Sequence, residues 1–457
     1  MAGVGFKLRR MVSSGTFGGI VKGYGYTGFI AAGPWISSLL GVLIVIFVIH
    51  KNDIHSDYIK AFQVSVTHLT VWSLIGSSFF LHSFTRFVSD SIFKKNMVTI
   101  FSSFMSVFLF VTALYSIMAY FLVDYLFPQT SFFYRLFSCV CFVLMVNNWI
   151  CTNLLSGLKR YSRLGWAFFL GYLAMVVIAY LLRKDGLDGL MFSFMMTQFI
   201  IFTMMIFSVF KEFFIARVFS NEYLSFQKAH SGIIFVSFFI IFGTWIDKNI
   251  FWYFPSTSEA VIGVWRFSEI YDIPSFFSFI AIIPAFIAFI FRMESDFAIY
   301  YEYYFDAVRE GGTYLEILKK RDQMVLSTKE CFKDVFRVQI FVIFLVFLFG
   351  KNIFEFFNLS PYHYYLFRID CISASFFLVL LIIFNILFYM DKVSFALKLS
   401  IFFCLTNGIF TLITIKLGIL YYGFGFLFSL FFSCLIGLLY LNNYFLQIEF
   451  KTFMKIR

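Results

Sequence analysis

Residues 97–123 read MVTIFSSFMSVFLFVTALYSIMAYFLV, a run without one charged side chain. A helix needs about 20 such residues to cross about 30 Å of hydrocarbon. Similar runs recur along the whole chain, so the sequence predicts an all-α polytopic membrane protein with about twelve transmembrane helices. The predicted spans lie near residues 26–50, 61–85, 97–123, 132–157, 164–182, 187–210, 233–252, 275–291, 338–357, 367–390, 399–417 and 421–445.

The charged residues between these runs are divided unequally between the two sides of the membrane. The set of loops that includes both termini holds 26 Lys and Arg and 14 Asp and Glu, whereas the other set holds 10 and 11. Cytoplasmic loops of membrane proteins carry the excess of Lys and Arg. We therefore predict that both termini are cytoplasmic.

The composition excludes several classes of protein. At 61% hydrophobic and 13% charged residues, the chain is not a soluble domain. The net charge of +11 is spread over short loops, which favours anionic lipid over nucleic acid as the neighbour. The seven Cys show no spacing typical of disulfides or of a metal site, so no cofactor is predicted.

The spacing of the runs indicates two six-helix bundles, a layout found in transporters built from duplicated halves with a cleft between them. The predicted parts are a cytoplasmic amphipathic N-terminus (1–25), a first bundle (26–210), a cytoplasmic linker (211–230), a second bundle (231–445) containing a cytoplasmic amphipathic loop (292–337), and a cytoplasmic tail (446–457).

The loop 292–337 is expected to form two amphipathic helices. Apolar residues recur at helical spacing in the first helix, and Gly311-Gly312 ends it. Thr313 then begins the second helix, with Glu316 in the position of a capping box, and Lys319, Lys320 and Arg321 form a basic patch. The apolar stripe of the first helix consists of Phe297, Tyr301, Tyr304 and Val308. Either the loop lies on the membrane surface or it docks a cytosolic partner.

A proline interrupts the first run at Gly33-Pro34-Trp35. Proline removes a backbone hydrogen bond and clashes with the preceding turn, so the helix is expected to kink there. The bend either lines the path of a transported substrate or serves packing alone. Pro284 predicts a similar, weaker break in the eighth run.

Arg86 and Asp90 have the spacing of a helical ion pair at the cytoplasmic end of the second run. They are either an interfacial anchor or a gate at the mouth of the substrate path.

Amides and an indole lie deep in the fourth run, at Asn147-Asn148-Trp149. Such groups need hydrogen-bond partners in hydrocarbon. Sugar hydroxyls and neighbouring helices satisfy them equally well, and the face of Trp149 could contact a sugar ring. Asp247 and Lys248 are expected at the outer interface, and no intramembrane carboxylate is predicted as an ion-coupling site.

Catalytic motifs are absent from the sequence. No P-loop occurs, and neither H-E-x-x-H nor a Cys/His cluster suggests metal chemistry. Asp53 and Asp57 on the first outer loop are weak signs of a membrane glycosyltransferase, so a polysaccharide polymerase stays an alternative.

Several short segments carry a resemblance to a known family. They are Met1–Phe6 with Leu8-Arg9-Arg10, Gly23-Tyr24-Gly25-Tyr26 leading to Gly33-Pro34-Trp35, Thr85–Asp90, and Glu294-Ser295-Asp296-Phe297 followed by Tyr303/Tyr304, Phe305-Asp306-Ala307 and Gly311-Gly312. In these segments the chain resembles the PelG family, the inner-membrane transporters of Pel exopolysaccharide systems. That family is similar to the flippase-like exporters of the multidrug/oligosaccharidyl-lipid/polysaccharide (MOP) superfamily.

The resemblance implies a non-enzymatic exporter of a hexosamine-rich polymer in the bacterial inner membrane, working with a cytosolic glycosyltransferase and membrane scaffold subunits. Few charges lie inside the spans, which suits a neutral cargo. The resemblance also favours functional roles for Arg86 and Asp90 in the substrate path, and for Glu294, Asp296, Gly311 and Gly312 with the basic patch in docking. The main alternative is a flippase of the same fold that carries lipid-linked oligosaccharides or small molecules.

Overall fold

The computed structural model describes residues 17–50, 56–213 and 219–455. Asp53, most of the predicted N-terminal segment 1–25, part of the linker 211–230 and the last two residues of the tail lie outside them. Eight α-helices occupy the first half of the described chain, namely α1 (Phe17–Thr27), α2 (Gly33–His50), α3 (Ser56–Phe93), α4 (Met97–Leu126), α5 (Phe132–Gly157), α6 (Tyr161–Leu181), α7 (Gly186–Phe210) and α8 (Glu222–Ala229).

The second half holds nine further α-helices and one hairpin. They are α9 (Ser231–Tyr253), β1 (Glu259–Ile262), β2 (Trp265–Phe267), α10 (Glu269–Ala281), α11 (Ile283–Arg292), α12 (Ala298–Arg309), α13 (Tyr314–Phe356), α14 (Pro361–Tyr389), α15 (Val393–Leu417), α16 (Phe424–Leu446) and α17 (Ile448–Lys455). Two π-helical segments, Gly28–Ala32 and Met293–Phe297, join α1 to α2 and α11 to α12.

The helices confirm the predicted fold class. Within the described residues, nine helices are long and apolar enough to cross a membrane, or ten if α10 and the helical segment after it count as one bent span. All twelve apolar runs fall on helices. The count of twelve spans stays a prediction, because the first run is divided between two helices and the ninth lies within the longer helix α13.

The eighth run bends by 43° between Ala281 and Ile283. Pro284 lies in the first turn of α11, where its missing N–H costs no hydrogen bond. The predicted break at this proline is therefore confirmed, and it takes the form of a new helix start.

The contacts divide the described chain into two compact units. The N-terminal unit comprises residues 33–245 and 251–268, and the C-terminal unit comprises residues 17–32, 246–250 and 269–455. In the N-terminal unit, α5 packs against α3, α4 and α7, while α6 packs against α2 and α7. In the C-terminal unit, α14 packs against α10, α13 and α16, and α15 packs against α16.

The predicted outer loop after α9 contains a two-stranded antiparallel hairpin, which the sequence did not reveal. Gly263 turns the hairpin with a positive φ of 54°, and a Cβ there would overlap the ring of Phe127. Trp265 stacks on His68 of α3 with ring centroids 5.3 Å apart, and His68 Nε2 donates a 2.9 Å hydrogen bond to the Arg266 carbonyl. The hairpin is thus fixed to the N-terminal unit.

The amphipathic loop forms the two expected helices, α12 and α13. Gly311 adopts a φ of 72° after α12, and the Thr313 hydroxyl accepts a 3.3 Å hydrogen bond from the Glu316 N–H. The structure adds that α13 runs without interruption from this cap to Phe356, so the second amphipathic helix and the ninth apolar run are one helix of 43 residues.

Candidate functional site

The bend predicted at Pro34 coincides with a π-helical segment. Gly28–Ala32 forms the π turn immediately before Gly33 and Pro34, and the chain passes from the C-terminal to the N-terminal unit between Ala32 and Gly33. Pro34 has no N–H for the carbonyl four residues earlier, which explains why the α-helical ladder is broken there. Trp35 follows the break and is half-buried.

Close contacts hold this π segment against α11 within the C-terminal unit. The Tyr24 ring stacks on Phe291 with centroids 4.7 Å apart. A Cβ on Gly28 would lie 3.0 Å from Ile287 Cδ1, so a larger residue would require the Ile287 side chain to move. The two π segments, each of them in a family-like motif, therefore follow two helices that pack against each other, α1 and α11. Turns of π-helix are frequent at functional sites.

The second π segment is tied to α13 by an ion-pair network. Arg292 Nε donates to Asp334 Oδ2 at 2.6 Å, and Arg292 Nη1 donates to Asp296 Oδ2 at 2.6 Å. Arg337 also pairs with Asp334 at 3.1 Å. Glu294 lies half-buried on the same segment. Of the predicted docking residues, Asp296 is therefore already paired with a side chain of the C-terminal unit.

The basic patch on α13 is divided between paired and open positions. Arg321 forms ion pairs with Glu449 and with Asp322, the latter at 2.7 Å. Lys320 Nζ lies 4.9 Å from the centre of the Tyr303 ring, an arrangement typical of a cation–π contact. Lys319 is exposed beside Leu315, which is 78% exposed. Lys319 and Leu315 thus remain open for a partner.

Arg86 and Asp90 form the predicted ion pair, with Arg86 Nε donating to Asp90 Oδ1 at 3.2 Å. Both side chains remain more than one-third exposed. Beside them, Tyr223 anchors α8 to α3 through a 2.7 Å hydrogen bond with Ser83. Burial raises the pKa of the Tyr223 hydroxyl, so this anchor stays protonated over the physiological range.

The polar residues of the fourth run are buried in contacts between helices of the N-terminal unit. Asn147 Nδ2 donates to Thr112 Oγ1 at 3.0 Å, and Asn148 Nδ2 donates to Gln198 Oε1 at 3.0 Å. Trp149 Nε1 donates to Ser73 Oγ at 3.1 Å. These bonds join α5 to α4, α7 and α3, so each of the three side chains has a protein partner.

A buried charge cluster in the C-terminal unit corrects one expectation from the sequence. Asp247 and Lys248 are 0% and 4% exposed, and Lys248 Nζ lies 2.8 Å from Asp247 Oδ2. Tyr271 donates to the same carboxylate oxygen at 2.6 Å. Helices α10, α14 and α16 enclose this part of α9, and the expected position of Asp247 and Lys248 at the outer interface stays a prediction.

The expectation that no intramembrane carboxylate offers an ion-coupling site is corrected, because Asp370 lies buried on α14 within a candidate span. Asp370 is 3% exposed and accepts a 2.8 Å hydrogen bond from Ser275 Oγ, while its Oδ1 has no hydrogen-bond partner within the described chain. Asp247 Oδ1 likewise has no hydrogen-bond partner within the described chain. The sequence does signal this site through a single Asp inside an apolar run. Averaging the hydropathy over the whole run conceals that residue. Ionisable residues at such depth mark functional sites by default.

No cluster of metal ligands accompanies these carboxylates. Across residues 17–50, 56–213 and 219–455, no three His, Cys, Asp or Glu side chains come together as a metal site would require.

Comparison with known proteins identifies the family model that the chain matches. The model of the PelG exopolysaccharide exporter (EPS-E) family matches residues 1–453. None of the curated proteins searched matches the chain.

Solved structures with the same architecture are transporters. A MOP superfamily transporter from Pyrococcus furiosus has 11% identity and a TM-score of 0.63 over 93% of this chain and 94% of its own. A multidrug resistance MATE family transporter in an outward-facing conformation has 12% identity and a TM-score of 0.66 over 94% and 96%. A MATE transporter from Vibrio cholerae has 11% identity and a TM-score of 0.65 over 95% and 96%. The fold is that of the MOP transporters.

Proposed function

The chain belongs to the PelG family of exopolysaccharide exporters, and we propose that it moves a growing, hexosamine-rich polysaccharide outward across the bacterial inner membrane while a cytosolic glycosyltransferase extends it. The observation that carries this proposal is the family match, which spans residues 1–453 of 457. The fold of a multi-pass transporter supports it.

The polar residues of the spans suit a neutral, hydroxylated cargo. Such a polymer needs amides, hydroxyls and aromatic faces along its route, because each buried polar group requires a hydrogen-bond partner. We propose that Arg86 and Asp90 guard the mouth of the route and that the bend at Gly33-Pro34-Trp35 lets the first span change shape. Asn147, Asn148 and Trp149 then hold the helices that line it.

The exposed start of α13 is the proposed docking surface for the glycosyltransferase. A polymer made in the cytoplasm must enter the exporter on that side. The charge pattern predicts that α12 and α13 lie there. Lys319 and Leu315 offer a charge and an apolar contact that the fold does not use, and Gly311-Gly312 sets the turn that presents them.

Changing Leu315→Ser together with Lys319→Glu is expected to abolish co-purification with the glycosyltransferase while the protein level stays normal. The pair leaves Arg321 and its ion pair with Glu449 intact, so the fold is not disturbed. Lys329→Glu, an equal charge change at an exposed position of the same helix, should leave co-purification unchanged. Undiminished co-purification of the double variant would exclude this surface.

A second candidate function is an ion-coupled flippase for lipid-linked oligosaccharides or small molecules. Buried carboxylates such as Asp247 and Asp370 are what proton- or cation-driven carriers use, and that observation favours it. Flux of small substrates into vesicles containing the purified protein, dependent on an ion gradient, would support the flippase over the exporter.

The proposed function is tested by measuring hexosamine polymer outside and inside cells of a deletion strain and of the complemented strain. We expect secreted polymer to vanish on deletion and to return on complementation. The internal polymer then tells whether synthesis proceeds without export. Unchanged secretion would refute the exporter proposal and leave the flippase as the leading function, whereas polymerisation by the purified protein alone would indicate a polymerase.

A further inference from the structure

A polar cavity of about 440 Å³ opens in the N-terminal unit beside the Arg86–Asp90 pair. One wall is the end of α3 and the turn into α4, and the other is the start of α8. The volume is within the range of pockets that bind small ligands. The α3–α4 turn and the segment before α9 both lie on the side that the charge pattern predicts to be cytoplasmic.

Two asparagines that could cap helices face this cavity instead. Asn96 precedes α4 and Asn221 precedes α8, and neither side chain makes a capping hydrogen bond. Asparagine at this position usually accepts a stabilising hydrogen bond from the first helical turn. Both amides line the cavity, so their donors and acceptors are available to a ligand.

Other polar groups in the cavity wall are equally available. Among the described residues, Lys94 and Glu222 form no ion pair or side-chain hydrogen bond, and neither does the Ser225 hydroxyl. Deeper in the wall, Ser220 is 4% exposed and its hydroxyl accepts a 3.2 Å hydrogen bond from the Glu222 N–H. This bond fixes the backbone of Glu222 at the cavity.

The charges around the cavity are balanced. Asp90 is paired with Arg86, which leaves one ammonium, Lys94, and one carboxylate, Glu222. A phosphate or nucleotide ligand would call for an Arg cluster or converging backbone N–H groups, and the carboxylate of Glu222 would repel it. An uncharged ligand rich in hydroxyl and amide groups fits the balance.

Aromatic rings complete the lining. Phe87 and Phe226 meet edge to face with centroids 5.6 Å apart, and both border the cavity. Phe87 is 5% exposed and Phe226 stacks on His230, so the two rings form an apolar wall beside the amides and hydroxyls, which suits the C–H groups of a sugar whose polar rim is hydrogen-bonded.

We propose that this cavity is a loading subsite that binds N-acetylhexosamine units of the polymer before they enter the membrane. Asn96 and Asn221 pair with the N-acetyl amide, and Glu222 and Ser225 with ring hydroxyls. Its role in export rests on the proposed function above, whereas the binding itself does not.

Binding is tested on the full-length protein in lipid nanodiscs with N-acetylhexosamine trisaccharides, by saturation-transfer NMR and calorimetry. The wild-type protein is expected to bind, and Asn221→Ala/Glu222→Gln to bind at least tenfold more weakly with an unchanged unfolding temperature. Glu302→Gln, an exposed position on α12, is the matched control and should bind as the wild type does. If the double variant fails to fold, Ser225→Phe, which fills the cavity from an exposed position, replaces it.

Three results would overturn the proposal: no binding by the wild-type protein at millimolar sugar, an equal loss in the Glu302→Gln control, or tighter binding of a nucleotide-sugar than of the neutral trisaccharide. Secretion by a strain carrying the double variant separates the two proposals. Normal secretion with lost binding refutes the loading role and leaves the exporter standing. Binding by the wild-type protein together with normal secretion in the deletion strain refutes the exporter and leaves the sugar site standing.

Discussion

Replacing Lys248 with methionine is expected to destabilise the protein by about 3–5 kcal/mol, because the change leaves the carboxylate of Asp247 buried without its counter-charge. Asp247 is fully buried, and Lys248 Nζ is 2.8 Å from its Oδ2. Within the described chain, the hydroxyl of Tyr271 would remain as a donor to that carboxylate, and a neutral phenol does not replace an ammonium ion. Thermal unfolding of the detergent-purified protein measures the effect.

The double variant Asp247→Asn/Lys248→Met is expected to recover part of the lost stability, since the charge of Asp247 is removed together with its partner, whereas the buried Asp370 carboxyl still loses the neighbouring ammonium. Lys416→Met removes an exposed lysine from the last turn of α15 and should leave the unfolding temperature close to that of the wild type. A single Lys248→Met variant as stable as the wild type would contradict the buried ion pair.

The same double variant separates a structural role of the pair from a transport role. If Asp247 and Lys248 serve packing alone, the double variant should secrete polymer normally. Loss of secretion at normal protein level would indicate that the charges of Asp247 and Lys248 take part in transport, and would strengthen the ion-coupled alternative.

Gly425→Val is expected to prevent accumulation of folded protein or to destabilise it by about 3 kcal/mol. A Cβ at Gly425 would lie 2.6 Å from the Thr411 backbone nitrogen and 2.8 Å from the Phe410 carbonyl carbon. No side-chain rotation can relieve a clash with backbone, so α15 and α16 would have to separate. Small residues at helix crossings allow this close approach in membranes. The yield of monodisperse protein after detergent extraction measures the effect.

Gly25→Ala is the matched control for that prediction. Nothing lies within 4 Å of a Cβ placed on Gly25, which is in α1 within a family-like motif. Alanine is favoured over glycine in a helix by about 0.5–1 kcal/mol, so the yield should be equal or slightly higher. An equal loss of yield for both variants would refute the backbone-clash explanation.

The amino-acid sequence by itself determined the fold class, the family and most helix positions. These features follow from local properties: a run such as 97–123 is apolar enough to span a membrane whatever surrounds it, and Gly311-Gly312 with Thr313 ends one helix and caps the next through neighbouring atoms. Pro34 and Pro284 likewise predicted their breaks, because a missing N–H acts within a single turn.

Only the tertiary structure decided which polar groups are paired and which are open. Asn148 looked available for a sugar until Gln198, fifty residues away, proved to be its partner. Asp247 and Lys248 are enclosed by the packing of distant helices, which their positions along the chain did not show. Asn96 and Asn221, which precede α4 and α8, meet at one cavity because α8 is anchored to α3. Burial and pairing are properties of residues brought together by the fold, so hydropathy and spacing along the chain do not contain them.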